Sequence, residues 1–284
     1  MNQINTDSLV TVVTVTYNAE DLQEKTINSV LNQTYDNIEY IIIDGGSIDG
    51  TVDIIKKYDG QISYWVSEVD EGIYHAMNKA IERASGEFIN FMNAGDTFAD
   101  NDAVQYVMDS KSEKADLIYG DYIRLDPYRT FKAQDRSRWY SAVPFCHQTL
   151  FTKTQLIKDE MFDTRYIIAA DHDFIIKMYE QKRVFQYLER NLAIYEGGGV
   201  SQQEPFIACI ESLYILLHSS ASEEEIQISW WYKLLKSKLA EYEVSVIERY
   251  RSALEELSAI KFIYHPIKKY RQYKKVLEIN RSLK

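Results

Sequence analysis

Residues Val10 to Thr16 are all valine or threonine, and Ile41-Ile42-Ile43 runs without a break into Asp44. Short β-branched runs bounded by polar residues read as buried strands. Between them, residues 20–33 place Leu22, Ile27, Val30 and Leu31 at helical spacing, which predicts a helix with those four on its apolar side. The alternation continues with a short helix over 51–58, a strand over 62–67 and a helix over 73–84. On that last helix Ile73, Met77, Ala80, Ile81 and Ala84 share one face. A strand over 88–92, a helix over 101–110 and a strand over 116–125 follow. Strand and helix in strict alternation predict an α/β domain, a mostly parallel sheet flanked by helices.

The pattern weakens over 130–144, where arginines and aromatics gather as in a loop that faces a substrate. It returns as a helix over 171–180 and a strand over 184–188. Gly197-Gly198-Gly199 reads as a hinge-like loop. Beyond Gln203 the chain reads as helical over 205–219, 223–242 and 244–262. The expected organisation is therefore a sheet domain over 1–203 and a helical region with a basic tail over 204–284.

Three strand ends carry the candidate chemistry. They are Thr16-Tyr17-Asn18, then Asp44-Gly45-Gly46-Ser47-Ile48-Asp49-Gly50-Thr51, then Asn93-Ala94-Gly95-Asp96. Open α/β sheets bind ligands beyond the carboxyl ends of their strands, so these junctions point polar groups at one crevice. Glycines let a backbone approach a ligand closely, and Asp49 is placed to cap the following helix.

Together with Ser67-Glu68-Val69-Asp70-Glu71-Gly72-Ile73-Tyr74-His75-Ala76-Met77-Asn78-Lys79-Ala80, these junctions resemble family 2 glycosyltransferases of the GT-A fold. The likeness covers roughly residues 8–203 and is nearest the branch that builds bacterial capsule, O-antigen and colanic-acid-type polysaccharides. It implies an inverting transfer from a nucleotide sugar, a UDP-sugar before others, to a glycan or lipid-linked acceptor. Thr16, Tyr17, Asn18, Asp44, Gly45, Asp70, Lys79, Asn93, Ala94 and Gly95 would then surround the nucleotide. In that reading Tyr17 packs on the base, Asp44 accepts from the uracil N–H and Asp70 holds a ribose hydroxyl. Asp44 has a turn cap as its alternative role, and Lys79 on an amphipathic helix is as readily a solvated side chain.

The resemblance also puts Asp96 at the last acid of a DXD motif, where a carboxylate binds Mn²⁺ or Mg²⁺. Gly95 stands where a second acid often sits, and Asn93 is neutral. Ala169-Ala170-Asp171-His172-Asp173 resembles the motif that opens the catalytic helix, with Ala170 in place of the usual glutamate, so Asp171 becomes the catalytic base. Asp173 lies about 200° further round a helix and is expected to cap or pack. His147 and Gln148 would border the acceptor and donor sugar. Arg138, with Arg136, Trp139 and Tyr140, would grip a phosphate or stack on a sugar, or else form a mobile surface loop. The absent acids at Gly95 and Ala170 leave one alternative open, a binding subunit that has lost turnover.

Composition narrows the partners. The net charge of -11 disfavours nucleic acid. Residues 261–284 reverse that sign, with eight basic side chains against Glu278 alone and apolar residues interleaved. Such a tail suits an anionic membrane surface, or packing on an acidic body. An acidic body also needs a cation to hold a diphosphate. No apolar run is long enough to span a bilayer and residues 1–7 are polar, so the expectation is a cytoplasmic protein, peripheral on the inner membrane face. Cys146 and Cys209 lack metal-ligand spacing and read as free thiols.

Overall fold

The computed structural model describes residues 8–125, 127–133, 139–142, 144–199 and 203–240. Arg136, Arg138, the expected helix over 244–262 and the basic tail lie outside the described residues. The chain forms β1 (Val10–Thr16), α1 (Glu20–Leu31), β2 (Ile38–Asp44), α2 (Thr51–Lys57), β3 (Tyr64–Ser67), α3 (Ile73–Arg83) and β4 (Phe88–Phe91). There follow β5 (Thr97–Phe98), α4 (Ala103–Ser110), β6 (Leu117–Leu125), β7 (Tyr128–Phe131), β8 (Phe151–Lys153), α5 (Thr154–Glu160), α6 (Ala170–Glu180) and β9 (Phe185–Tyr195). Then come α7 (Pro205–Leu217), α8 (Glu223–Ile228) and α9 (Trp230–Ala240).

Among the described residues the strands make one sheet, ordered β3-β2-β1-β4-β8-β6-β9-β5, with β7 also paired to β6. The strands β3, β2, β1 and β4 are parallel, while β8 runs antiparallel between β4 and β6. The chain winds outward from β1 to β3 and then returns to set β4 on the other side of β1. That reversal opens a crevice beyond the ends of β1 and β4, where ligands of such sheets bind.

Alternate residues of the central strands feed two cores. Val13, Val15, Ile41 and Ile43 pack with Met77, Ala80 and Ile81 of α3 and Phe174 and Ile175 of α6. Val10, Val12, Tyr40 and Ile42 pack on the opposite face with Ile27 and Val30 of α1 and Val104 and Val107 of α4. A strand buried on both faces needs the unbroken apolar run seen in the sequence.

Several expectations are corrected. On α1 the buried positions include Gln23 and Thr26, whereas Leu22 is exposed. Thr26 faces inward because its hydroxyl donates to Asp96 O and accepts from Gly95 N. β7 runs into the start of the loop expected over 130–144, and Trp139, expected to stack on a sugar or to lie in a mobile surface loop, is fully buried against Phe145 and Phe185. β9 continues to Tyr195, well past the expected strand end. The helix expected over 223–242 is interrupted at Ser229, whose backbone is extended. Residues 1–233 cluster as one compact unit that includes α7 and α8. No helix among the described residues is long and apolar enough to cross a membrane.

Candidate active site

The ends of β1, β2 and β3 form the first wall of the crevice. Tyr17 is 62% exposed. A Cβ added to Gly45 would lie 2.9 Å from Asp70 Oδ2 and 3.5 Å from the Tyr17 ring, so the three come together and only glycine leaves room between them. Asp70 Oδ1 accepts from Gly72 N at 2.9 Å, a turn that steers the carboxylate. Asn18 joins the β1 and β2 loops: its N–H donates to Ser47 Oγ and its Oδ1 accepts from Ile48 N. The Thr16 hydroxyl is buried without a partner.

Asp44 turns the other way. It is fully buried, and its carboxylate accepts from Gly46 N, Ser47 N, Ser47 Oγ and Ser67 Oγ. Three of those bonds fall on Oδ2 and one, from Ser47 Oγ, on Oδ1, so the carboxylate caps the turn and Oδ1 keeps acceptor capacity. Lys79 pairs with Glu68 at 2.8 Å instead of reaching the loops of β1 and β2. Asn78 grips the backbone of Phe162, accepting from its N–H and donating to its carbonyl.

The second wall follows β4. Asn93 donates through Nδ2 to His147 Nε2 at 3.1 Å, while Asn93 Oδ1 is buried without a partner. The Ala94 N–H donates to Val15 O, stitching this loop to β1. Gly95 has φ +96, and a side chain there would also press on Leu22, which accounts for the missing acid. Asp96 is 5% exposed and accepts from Gln148 Nε2 and from Glu196 N. Burial pushes its pKa up to about 6 against these donors and the nearby His147. Among the described residues no three His, Cys, Asp or Glu side chains gather to hold a metal.

Asp171 sits in the first turn of α6, and both it and His147 keep 26% of their side-chain surface open. His147 Nδ1 donates to Asp171 Oδ2 at 3.0 Å, the tautomer set by the Asn93 donor on Nε2. The Tyr74 hydroxyl lies between two acceptors, Ile168 O and Asp171 Oδ1, the latter at 2.9 Å. Burial alone would raise the Asp171 pKa, yet His147, Tyr74 and the His172 N–H bring it below the ordinary carboxylate value. His147 is moved the opposite way: burial opposes its charge, but Asp171 and Asp96 raise its pKa. An accessible, ionised carboxylate with a proton-holding neighbour is equipped to accept a proton. Asp173 points elsewhere and pairs with Lys177 at 2.8 Å.

A sequence model of glycosyl transferase family 2 matches residues 11–167, more than half of the chain. The chain belongs to glycosyl transferase family 2. It is 29% identical over 202 residues to the PGL/p-HBAD biosynthesis glycosyltransferase of Mycobacterium bovis, covering 68% of this chain and 79% of that protein. Over 95 residues it is 42% identical to the putative teichuronic acid biosynthesis glycosyltransferase TuaG of Bacillus subtilis, 32% of this chain and 38% of that one. Among solved structures, S. aureus TarS 1-349 in complex with UDP superposes with a TM-score of 0.61 at 18% identity, covering 85% of this chain and 77% of that. The Pyrobaculum calidifontis mannosyltransferase PcManGT with GDP-Man and Mn²⁺ gives 0.61 at 17% identity, covering 94% and 83%. The fold is GT-A. As a family 2 member the protein is a glycosyltransferase that uses a nucleotide-sugar donor.

Two features of this family 2 site escaped the sequence. Tyr74 lies in the motif that signalled the family, but its hydroxyl acquires a role only when Asp171, 97 positions on, folds beside it. Its one available signal was a phenol on the buried side of α3, since a buried tyrosine hydroxyl needs a partner. The other is Glu211 of α7, whose carboxylate accepts from the N–H groups of Ile167, Ile168 and Ala169 just ahead of α6 and which no motif marks.

Proposed function

We propose that the protein is an inverting glycosyltransferase that moves a sugar from a UDP-sugar to a glycan or lipid-linked acceptor of the bacterial surface. The observation that carries this reading is the part-open, ionised Asp171, braced by His147 and Tyr74, in a fold that also gathers Tyr17, Gly45 and Asp70 beyond the ends of β1 to β3. The acceptor hydroxyl attacks the anomeric carbon from the face opposite the nucleotide. Asp171 takes the hydroxyl proton, the new C–O bond forms, and the bond to the diphosphate breaks with its electron pair leaving on the UDP. One displacement inverts the anomeric centre. Support for a surface-glycan acceptor comes from the relative named for teichuronic acid biosynthesis, and support for a UDP-sugar from the UDP-bound neighbour of the same fold.

The donor set beside β4 suits a hard cation only in part. Asp96 and the unpartnered Asn93 Oδ1 are oxygen donors of the right chemistry, so Asp96 would hold Mn²⁺ or Mg²⁺ with the diphosphate and water completing the shell. A bound cation would neutralise charge on the departing diphosphate. Because burial raises the Asp96 pKa to about 6, the carboxylate gains its proton as the pH falls through 6. The Mn²⁺-dependent share of UDP affinity should fade over the same range. Peripheral attachment through the basic tail belongs to the same proposal, and vesicle sedimentation of chains with and without residues 264–284 tests it.

The deciding experiment screens UDP- and GDP-sugars by thermal shift, then follows the anomeric configuration of the product by NMR. Inversion by the wild type, with turnover lost and UDP binding kept in Asp171→Asn, is the expected result. A retained configuration, or full turnover in Asp171→Asn, would overturn the reading.

A further inference from the structure

The N-terminus of α6 has no cap of its own. Ala169 occupies the N-cap position with no side-chain bond, and Ala170 follows with a methyl group. The backbone donors just ahead of this helix are instead met from α7. Glu211 Oε1 accepts from Ile167 N at 2.8 Å, and Oε2 accepts from Ile168 N at 2.9 Å and Ala169 N at 3.1 Å. The carbonyl of this same stretch, Ile168 O, is one of the two acceptors of the Tyr74 hydroxyl. Glu211 therefore holds, from the N–H side, the peptides whose carbonyl side faces Tyr74. Tyr74 in turn touches Asp171.

Other contacts bind α6 to the same region. Ala169 and Ile176 pack with Ile215 of α7, Tyr166 meets Tyr214 edge-on, and the buried His172 ring stacks on Trp231 at 4.6 Å. A carboxylate at three N-terminal donors also offsets the positive end of the helix.

We propose that Glu211 is a positioning residue for glycosyl transfer: it fixes the 167–169 turn so that the Tyr74 proton and the Asp171 carboxylate meet in register. The helix α7, which lies beyond the family-matched residues 11–167, thereby becomes part of the catalytic apparatus. When Asp171 takes the acceptor proton, the Tyr74 hydroxyl can turn its own proton to Ile168 O, which stays in reach only while Glu211 holds the turn. This inference rests on Asp171 being the base.

The test measures turnover as UDP released from UDP-N-acetylglucosamine, UDP-glucose or UDP-galactose, using the donor that the wild type consumes fastest. Glu211→Ala should lower kcat by about tenfold to 100-fold, the scale of a small misplacement at a reacting group, and leave UDP affinity within about a factor of two. Glu211→Gln, which keeps one acceptor oxygen, should recover part of the loss. Leu213→Ala, a buried packing position on the same helix, is the stability control. If it lowers the melting temperature as much as Glu211→Ala and kcat as much too, Glu211 only holds the fold together and the inference is overturned. In a Tyr74→Phe background, Glu211→Ala should add little further loss, because both act through one contact. Full additivity would also overturn it. Turnover that survives Asp171→Asn would instead remove the base itself, and that outcome is separable from any result at Glu211.

Discussion

The two walls of the crevice hold their acids in opposite ways. On the donor wall each carboxylate is held mainly by its own loop: Asp44 by Gly46 and Ser47, Asp49 by Thr51, Asp70 by Gly72. On the catalytic wall each is held from afar: Asp171 by Tyr74 and His147, Asp96 by Gln148 and Glu196, and Glu211 serves a turn some forty residues before it. Local bonds make a platform that exists as soon as the loop folds. Long-range bonds make a base whose proton affinity depends on the whole domain being assembled. Binding and chemistry should therefore separate under mutation, and each wall can be tested for it.

The largest effect is expected from stripping Asp171 of its donors. His147→Ala or Tyr74→Phe should reduce kcat by about 100-fold, within the range of a lost general-base arrangement. Both residues hold the Asp171 pKa down, so their removal raises it, and the acid limb of the kcat/KM profile should move to higher pH. UDP affinity should barely change. A parallel loss of UDP affinity in either variant would break the separation between the walls.

On the donor wall, Tyr17→Ala should weaken UDP by about tenfold, as expected for one lost base–aromatic stack, with kcat nearly kept. Equilibrium binding and steady-state kinetics on the same preparation check it. A kcat effect larger than the affinity effect would place Tyr17 on the wrong side of the comparison.

Between the walls, Gly95→Ala puts a Cβ on a backbone at φ +96 and 3.2 Å from Leu22. Denaturant unfolding should show a loss of about 1–2 kcal/mol, the cost of a left-handed residue. An unchanged midpoint would mean that the loop relaxes, and an acid could then be accommodated there as well.

The smallest effect concerns His172, whose ring nitrogens are both buried without partners and whose pKa falls to about 4 by burial, partly opposed by Asp171. In the unfolded chain the ring titrates near 6.5. Between those values the unfolded state binds the extra proton, so stability falls as pH drops through that window. His172→Phe should keep the stack on Trp231, change stability at pH 7 by less than about 1 kcal/mol and flatten the acid side of the stability curve. An unaltered acid transition would show that other groups dominate it.

The same contrast sets what the sequence could reveal. The strands β1 and β2 were legible because two-sided burial favours the β-branched runs of Val, Thr and Ile seen there, and the donor loops because their glycines and acids are neighbours in the chain. The short β8 escaped because Phe151–Lys153 is too brief to show a period, and its antiparallel insertion depends on where β6 lies. Asp44 was legible as a polar strand end, but its bond from Ser67, 23 positions on, was not. Trp139 read as a sugar platform because composition does not say which aromatics face inward. Tyr74 and Glu211 are ordinary residues until the fold brings position 168 to both.

The two donor loops exchange their helix caps. Ala19 N donates to Thr51 Oγ1 and Glu20 N to Asp49 Oδ2, while Gly50 N donates to Glu20 Oε2. Neither α1 nor α2 is capped by its own N-cap side chain. The α1 start thus borrows its closure from the β2 loop, and the α2 start borrows Gly50's from α1 while Asp49 closes Thr51 locally, so the borrowed bonds open together. Amide hydrogens at 19, 20 and 50 should exchange with solvent in a single shared event, at one free energy and with one response to denaturant. A bound nucleotide would slow all three by the same factor, even if it touched one loop alone.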